Sequence, residues 1–281
     1  PEAVAQATTV IGFDDRNNAG FTATSAAIED AGGLMVAQLW HPGRQQLWHP
    51  TKSPAGVSDG PDPYSWTVAH VMDNDEIHDL ITKFAATAAR LQGCGLAGVE
   101  LHGAHGYLLC QFLSPEVNTR DDQYGGGLDN RSRLLWEIID GIRARCRPDF
   151  VLGVRLSPER FGMRLDEISA LYRDLCASGK VDFMDMSLWD IFKETEEEAH
   201  RGRRLLDIFA ALPRAGARLT VAGKITTGAN VRLAMDAGVD FVAIGRAAIL
   251  HHDFPAKVKA EPDFTPVALP VSPSHLRAEG L

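Results

Sequence analysis

Short apolar runs alternate with helical repeats along most of this chain, and that alternation limits the fold more than any other feature. The runs are Leu34 to Leu39, Val99 to Leu101, Val151 to Leu156, Phe183 to Ser187, Leu219 to Ala222 and Phe241 to Ile244. Between them, apolar side chains fall at helical spacing. Thr22 to Ala31 ends at Gly32-Gly33; Ile77, Leu80, Ile81, Phe84, Ala88 and Leu91 follow Asp75 and stop at Gly93-Cys94-Gly95. Leu134, Leu135, Ile138, Ile139 and Ile142 mark a further helix, as do Ile168, Leu171 and Leu175, then 205 to 212 and 229 to 237. Strands that alternate with helices build a parallel sheet, because each crossover helix returns the chain to the same end of the next strand. A ring of such units is a (β/α)8 TIM barrel, commonly near 250 residues as one unit. We therefore read residues 1–252 as one α/β barrel domain and 253–281 as a Pro-rich tail, with about six of the eight strands encoded here.

Composition narrows the function classes. Of 281 residues, 45% are hydrophobic and 23% charged, enough to bury a core. A net charge of −9 argues against a nucleic-acid partner, which needs clustered positive charge. No apolar run approaches the roughly 18 residues that span a bilayer, so a cytoplasmic protein with no membrane partner is expected, with room for a homo-oligomer. Cys94, Cys110, Cys146 and Cys176 form no C-x-x-C pair and are read as reduced packing residues.

Chemistry is expected where a buried strand stops. Val99-Glu100-Leu101-His102-Gly103-Ala104-His105-Gly106-Tyr107 runs from an apolar strand into a turn with two histidines and a tyrosine. Residues just past the C-terminal end of such a strand are the first free to face a ligand. His102 and His105 supply donors for an oxyanion, and Tyr107 a phenol able to pass a proton. Two later turns suit a phosphate, Gly223-Lys224 and Gly245-Arg246: glycine lets backbone N–H groups approach an anion, and Arg246 can pair with its oxygens. Arg155, inside an apolar run, must meet an anion or an electron-rich ring. Gln38 sits at its strand end, and Trp66, Trp189 and Phe192 are candidate apolar walls of a small-molecule pocket. The loop from Trp40 to Val71 is long enough to serve as a lid or entrance.

The tract from Val99 to Tyr107, continued through Leu108-Leu109-Cys110-Gln111-Phe112-Leu113-Ser114-Pro115, Asn118-Thr119-Arg120-Asp121-Asp122-Gln123-Tyr124-Gly125-Gly126 and Asn130-Arg131, resembles the Old Yellow Enzyme family of flavin-dependent ene-reductases. The likeness extends more loosely from about residue 10 to about residue 255. It implies FMN as cofactor and NAD(P)H as reductant, with hydride passing to the β-carbon of an activated alkene and a proton from Tyr107 to its α-carbon. It implies that His102 and His105 grip the substrate oxygen, with His at the second position where other members carry Asn. Gln38 and Arg155 resemble the family's residues at the flavin's pyrimidine edge. It also implies that the barrel's first two strands, with the helix between them, are absent from this sequence. Arg120, Asp122 and Arg131 are expected to pair within their own loop. Two rival readings stand beside it: a zinc hydrolase, with His41 or Asp185 completing a histidine site, and a non-catalytic fragment.

Overall fold

The computed structural model describes residues 10–46, 53–63, 66–268 and 270–278. The chain divides into two compact units: residues 1–184 with 215–217, and residues 185–214 with 218–281.

In the first unit, α1 (Asn18–Asp30) leads into β1 (Val36–Leu39), and two short strands, β2 (Ala55–Gly56) and β3 (His70–Val71), pair with each other inside the loop that follows. Residues 47–52 and 64–65 of that loop, expected to be a lid, lie outside the described residues. α2 (Asn74–Gly93) starts one residue before the expected Asp75, with Asp73 as its N-cap. The Asp73 side chain accepts from the Glu76 amide while the Glu76 carboxylate accepts from the Asp73 amide, so two otherwise orphaned donors are satisfied. β4 (Gly98–Gly103) is buried along its whole length, and α3 (Leu108–Leu113) follows Tyr107 directly, every residue of it buried. Then come α4 (Leu128–Arg131), α5 (Arg133–Arg145), β5 (Val151–Leu156) and α6 (Leu165–Ala177). The apolar stripe of α5, Leu134, Leu135, Ile138, Ile139 and Ile142, is wholly buried, and α5 packs on α2.

β4 is the central strand of this unit. It pairs in parallel with β1 on one side and β5 on the other, with Gln38 opposite Glu100 and His102 opposite Arg155. Side chains alternate across a strand, so Gln38, Glu100, His102 and Arg155 share one face while Val99 and Leu101 pack on the other. The sequence pattern predicts a buried strand at 34–39, but Leu34 and Val36 are exposed. The reason is position: among the described residues β1 has a ladder partner on one side only.

Arg131 also departs from expectation. Arg120 pairs with Asp122 inside the loop at 2.5 Å, but buried Arg131 pairs outside it, with Glu167 of α6 at 2.7 Å. It also donates to the Gly126 and Leu113 carbonyls, so one guanidinium ties the loop to α3 and α6.

β6 (Phe183–Ser187) begins in the first unit and continues into the second. The second unit holds α7 (Leu205–Ala210), β7 (Arg218–Ala222), α8 (Gly228–Asp236), β8 (Phe241–Val242), α9 (Arg246–Leu250), α10 (Phe254–Ala260) and α11 (Pro273–Ala278). β7 and β8 pair in parallel. The stretch read as a Pro-rich tail thus carries two helices; Phe254, the first residue of α10, is buried.

Candidate active site at the end of the central strand

The chain leaves β4 through two consecutive left-handed residues, His105 (φ 61°) and Gly106 (φ 75°). Glycine takes that conformation freely, whereas a histidine there is strained and needs its surroundings to hold it. Those surroundings are specific. Gln45 Nε2 donates to the carbonyls of His105 (3.1 Å) and Gly106 (2.8 Å), Gln111 Nε2 donates to the same Gly106 carbonyl (2.7 Å), and Ser157 Oγ accepts from the His105 amide (3.1 Å). A methyl group at Gly106 would lie 2.6 Å from Gln45 Nε2, so any larger residue would displace that clamp. Gln45 and Ser157 were missed at the level of sequence. The one available signal is Gln111, an amide within an otherwise apolar helix.

The turn gathers the predicted trio. Ring centroids lie 4.9 Å apart for His102 and His105, 5.2 Å for His102 and Tyr107, and 6.4 Å for His105 and Tyr107. Trp40 meets the Tyr107 ring edge-on at 4.9 Å, and Phe161 meets His105 at 6.3 Å. His102 is 5% exposed, and its buried Nδ1 has no hydrogen-bond partner among the described residues. Burial, with lesser repulsion from His105 and Arg155, lowers its pKa to about 3. Burial and then Arg155 lower His105 to about 4. Both rings are therefore neutral at physiological pH, each with one N–H to donate and no charge to transfer. Burial raises the Tyr107 phenol, which stays protonated.

These shifts have a sign. An unfolded histidine takes up its proton near pH 6.5, whereas the folded ones resist until about 4 and 3. Between those values the unfolded chain binds more protons, so stability is lost as pH falls from about 6.5 towards 3. The urea midpoint is expected to drop over that range in the wild type and to drop less in an H102N/H105N double variant. Equal acid limbs would show that the histidines are not buried in neutral form.

Glu100, which the sequence does not single out, lies beside the trio. It is 9% exposed, accepts a short hydrogen bond from Gln38 Nε2, and is attracted by Arg155. Burial nonetheless raises its pKa. A cleft of about 310 Å³ borders the turn, lined by Arg44, Gln45, Gly106, Gln111, Arg160 and Phe161. Arg160 (φ 73°), Phe161 (φ 54°) and Gly162 (φ 75°) form a second run of left-handed backbone on its wall.

Trp66 is 76% exposed, and Trp189 and Phe192 are likewise exposed, so none is packed in a core. In the second unit, Gly223 and Gly245 follow the C-terminal ends of the paired strands β7 and β8. A methyl group at Gly223 would meet the Asp190 backbone at 2.9 Å, so this glycine serves a close approach. Lys224 takes a left-handed φ of 48° and its Nζ pairs with Asp190 at 2.9 Å. Gly245 and Arg246 are both exposed at the start of α9, and the Arg246 side chain makes no hydrogen bond among the described residues. All four cysteines are free and buried. Among the described residues no three His, Cys, Asp or Glu side chains are grouped to hold a metal ion. No described helix is long and apolar enough to cross a membrane.

A family model described as the NADH:flavin oxidoreductase / NADH oxidase family matches residues 2–263. NADH:fumarate oxidoreductase of Klebsiella pneumoniae is 30% identical over 264 residues, covering 89% of this chain and 28% of that protein. The NADH-dependent flavin oxidoreductase nadA of Aspergillus parasiticus is 39% identical over 188 residues, 63% of this chain and 41% of that protein. The chain thus spans less than half the length of either relative. Morphinone reductase solved with tetrahydroNAD superimposes with a TM-score of 0.80 at 25% identity, over 98% of this chain and 78% of that one. An old yellow enzyme homologue from Zymomonas mobilis gives 0.80 at 24% identity, over 100% and 83%. The fold class expected from the sequence, an α/β barrel of the (β/α)8 kind with six of its strands in this chain, is borne out by these neighbours.

Proposed function

Since the chain belongs to the NADH:flavin oxidoreductase / NADH oxidase family, whose cofactors are FMN and a nicotinamide reductant, we propose that it reduces an activated alkene, an α,β-unsaturated carbonyl or nitro compound. The observation that carries this reading is the turn after β4: two neutral histidines and a protonated phenol, gathered within 6.4 Å on a backbone held in a strained conformation.

The residues present fit FMN. Gln38 and Arg155 offer an acceptor and a cation on one sheet face, and His102 has a buried nitrogen with no partner among the described residues. In the second unit, taken by itself, Gly223, Lys224, Gly245 and Arg246 suit a phosphate by the chemistry of their turns, although Lys224 shares its charge with Asp190. Bound FMN supplies the hydride, drawn from NAD(P)H.

The chain's own residues supply the rest. One N–H from each of His102 and His105 converges on the substrate oxygen and favours the enolate-like charge that develops there, an effect worth roughly 10²–10³ in rate per donor in comparable oxyanion sites. Because both rings are uncharged, they polarise the oxygen without protonating it. The Tyr107 phenol delivers its proton to the α-carbon. Gln45, Gln111 and Ser157 hold the turn so that these groups need no rearrangement. A cleft of about 310 Å³ lies against Gly106 of the same turn, and His102, His105 and Tyr107 are not among its lining residues.

The test is product analysis. Protein loaded with FMN and reduced by NADH without oxygen is mixed with 2-cyclohexenone in D2O. Cyclohexanone with deuterium at the α-carbon supports the proposal; unchanged enone, with reoxidation only by oxygen, overturns it in favour of an NADH oxidase.

A further inference from the structure

We propose that Glu100 is a positioning residue for the flavin: its carboxylate fixes which end of the Gln38 amide faces the cofactor and offsets the positive charge of Arg155. This inference rests on the FMN reading above. Glu100 is the acidic member of the Gln38, Glu100, His102 and Arg155 face, directly opposite Gln38 in the β1–β4 register. A neutral glutamine or an apolar side chain would be the cheaper occupant of such a buried position, because a carboxylate there loses its hydration.

Two consequences follow from the geometry. The Gln38 amide has a donor end and an acceptor end, and an acceptor turned to a carboxylate would be repelled. With Nε2 donating to Glu100 Oε1, Oε1 of Gln38 is left to accept, and it makes no hydrogen bond among the described residues. The pyrimidine edge of an isoalloxazine carries one imide N–H between two carbonyl oxygens. An acceptor from Gln38 and donors from Arg155 match that pattern, whereas a flipped Gln38 would set donor against donor. The second consequence is electrostatic. Arg155 lies one residue further along the same face, opposite His102, and attracts Glu100. A cation at the ring favours the reduced, more negative flavin, and a carboxylate beside that cation reduces the preference.

Two readouts test this. The first needs no cofactor. The Gln38 side-chain N–H resonances, assigned by their loss in Q38A, should exchange slowly with solvent in the wild type and rapidly in E100A; unchanged protection overturns the positioning role. The second is the midpoint potential of bound FMN. E100Q, which keeps the shape and loses the charge, should shift it upward and weaken FMN about tenfold, the loss expected of one charge-assisted hydrogen bond. E100D keeps the charge and should hold the potential near the wild-type value even where FMN binding falls. A potential that is the same in wild type and E100Q, or that moves equally in E100Q and E100D, overturns the charge role, since a purely structural residue would not separate the two. If wild-type protein takes up no FMN, the functional proposal fails and the amide-exchange readout still decides the Gln38–Glu100 coupling.

Discussion

Replacing Tyr107 by phenylalanine is expected to slow reoxidation of the reduced holoprotein by an enone by about 10²–10⁴-fold, the usual worth of a positioned general acid, while leaving reduction by NADH unchanged. The two half-reactions separate because proton delivery is needed only when the alkene is reduced. The phenyl ring of the variant would keep the edge-on contact that Tyr107 makes with Trp40 at 4.9 Å, so the substitution removes a hydroxyl and little else. That hydroxyl belongs to a group whose pKa burial raises, and Tyr107 is the phenol set among the two histidines. Rapid-mixing absorbance of the two half-reactions is the measurement. Reoxidation at the wild-type rate would mean that the proton comes from solvent or another residue.

Gly98→Ala is expected to destabilise the fold by about 4 kcal/mol, at the upper end for a single substitution. Gly98 opens the central strand and faces Val151 in the parallel register. A methyl group there would come within 2.3 Å of the Val151 carbonyl oxygen and 2.6 Å of the Val151 Cβ. The first of these is main chain in a hydrogen-bonded ladder, so β4 and β5 must separate to admit it. The strand that would shift is the one carrying Glu100 and His102, and the site should loosen with it. Urea unfolding followed by circular dichroism measures the loss. Gly93→Ala, at the end of α2 with open space around the added carbon, is the matched control and should be near neutral. Equal stability of the two variants would show that β4 and β5 are not packed as described.

Much of the local architecture was legible because it is written in short-range pattern. The run Val151 to Leu156 is a strand over the same six residues, and the α5 stripe at helical spacing is the buried face of that helix. The histidine–tyrosine cluster could also be read, since its residues follow one another directly after an apolar strand, and their three rings do come together. What escaped depends on contacts between distant residues. Glu100 reads in sequence as one acid in an apolar run; only the register with β1, 62 residues away, shows that Gln38 meets it. Gln45 lies 60 residues before the His105 carbonyl it clamps, with nothing local to mark it. Burial was misjudged at sheet margins for a related reason. Val36 and Phe241 have the composition of core strands yet are exposed, because burial depends on what lies next to a strand and not on the strand alone. The sequence around Arg131 points to a partner in its own loop, whereas Glu167, which the guanidinium meets, comes 36 residues later.

The most direct test of the central claim, that this chain's Gln38, Arg155 and β4 turn serve a flavin, is titration of the purified protein with FMN, followed by anaerobic addition of NADH. The expected result is a saturable change in the visible flavin spectrum, weakened in R155A, and bleaching of the bound chromophore by NADH. A folded protein whose presence leaves the FMN spectrum as it is in buffer, or one that binds FMN equally well without Arg155, would contradict it.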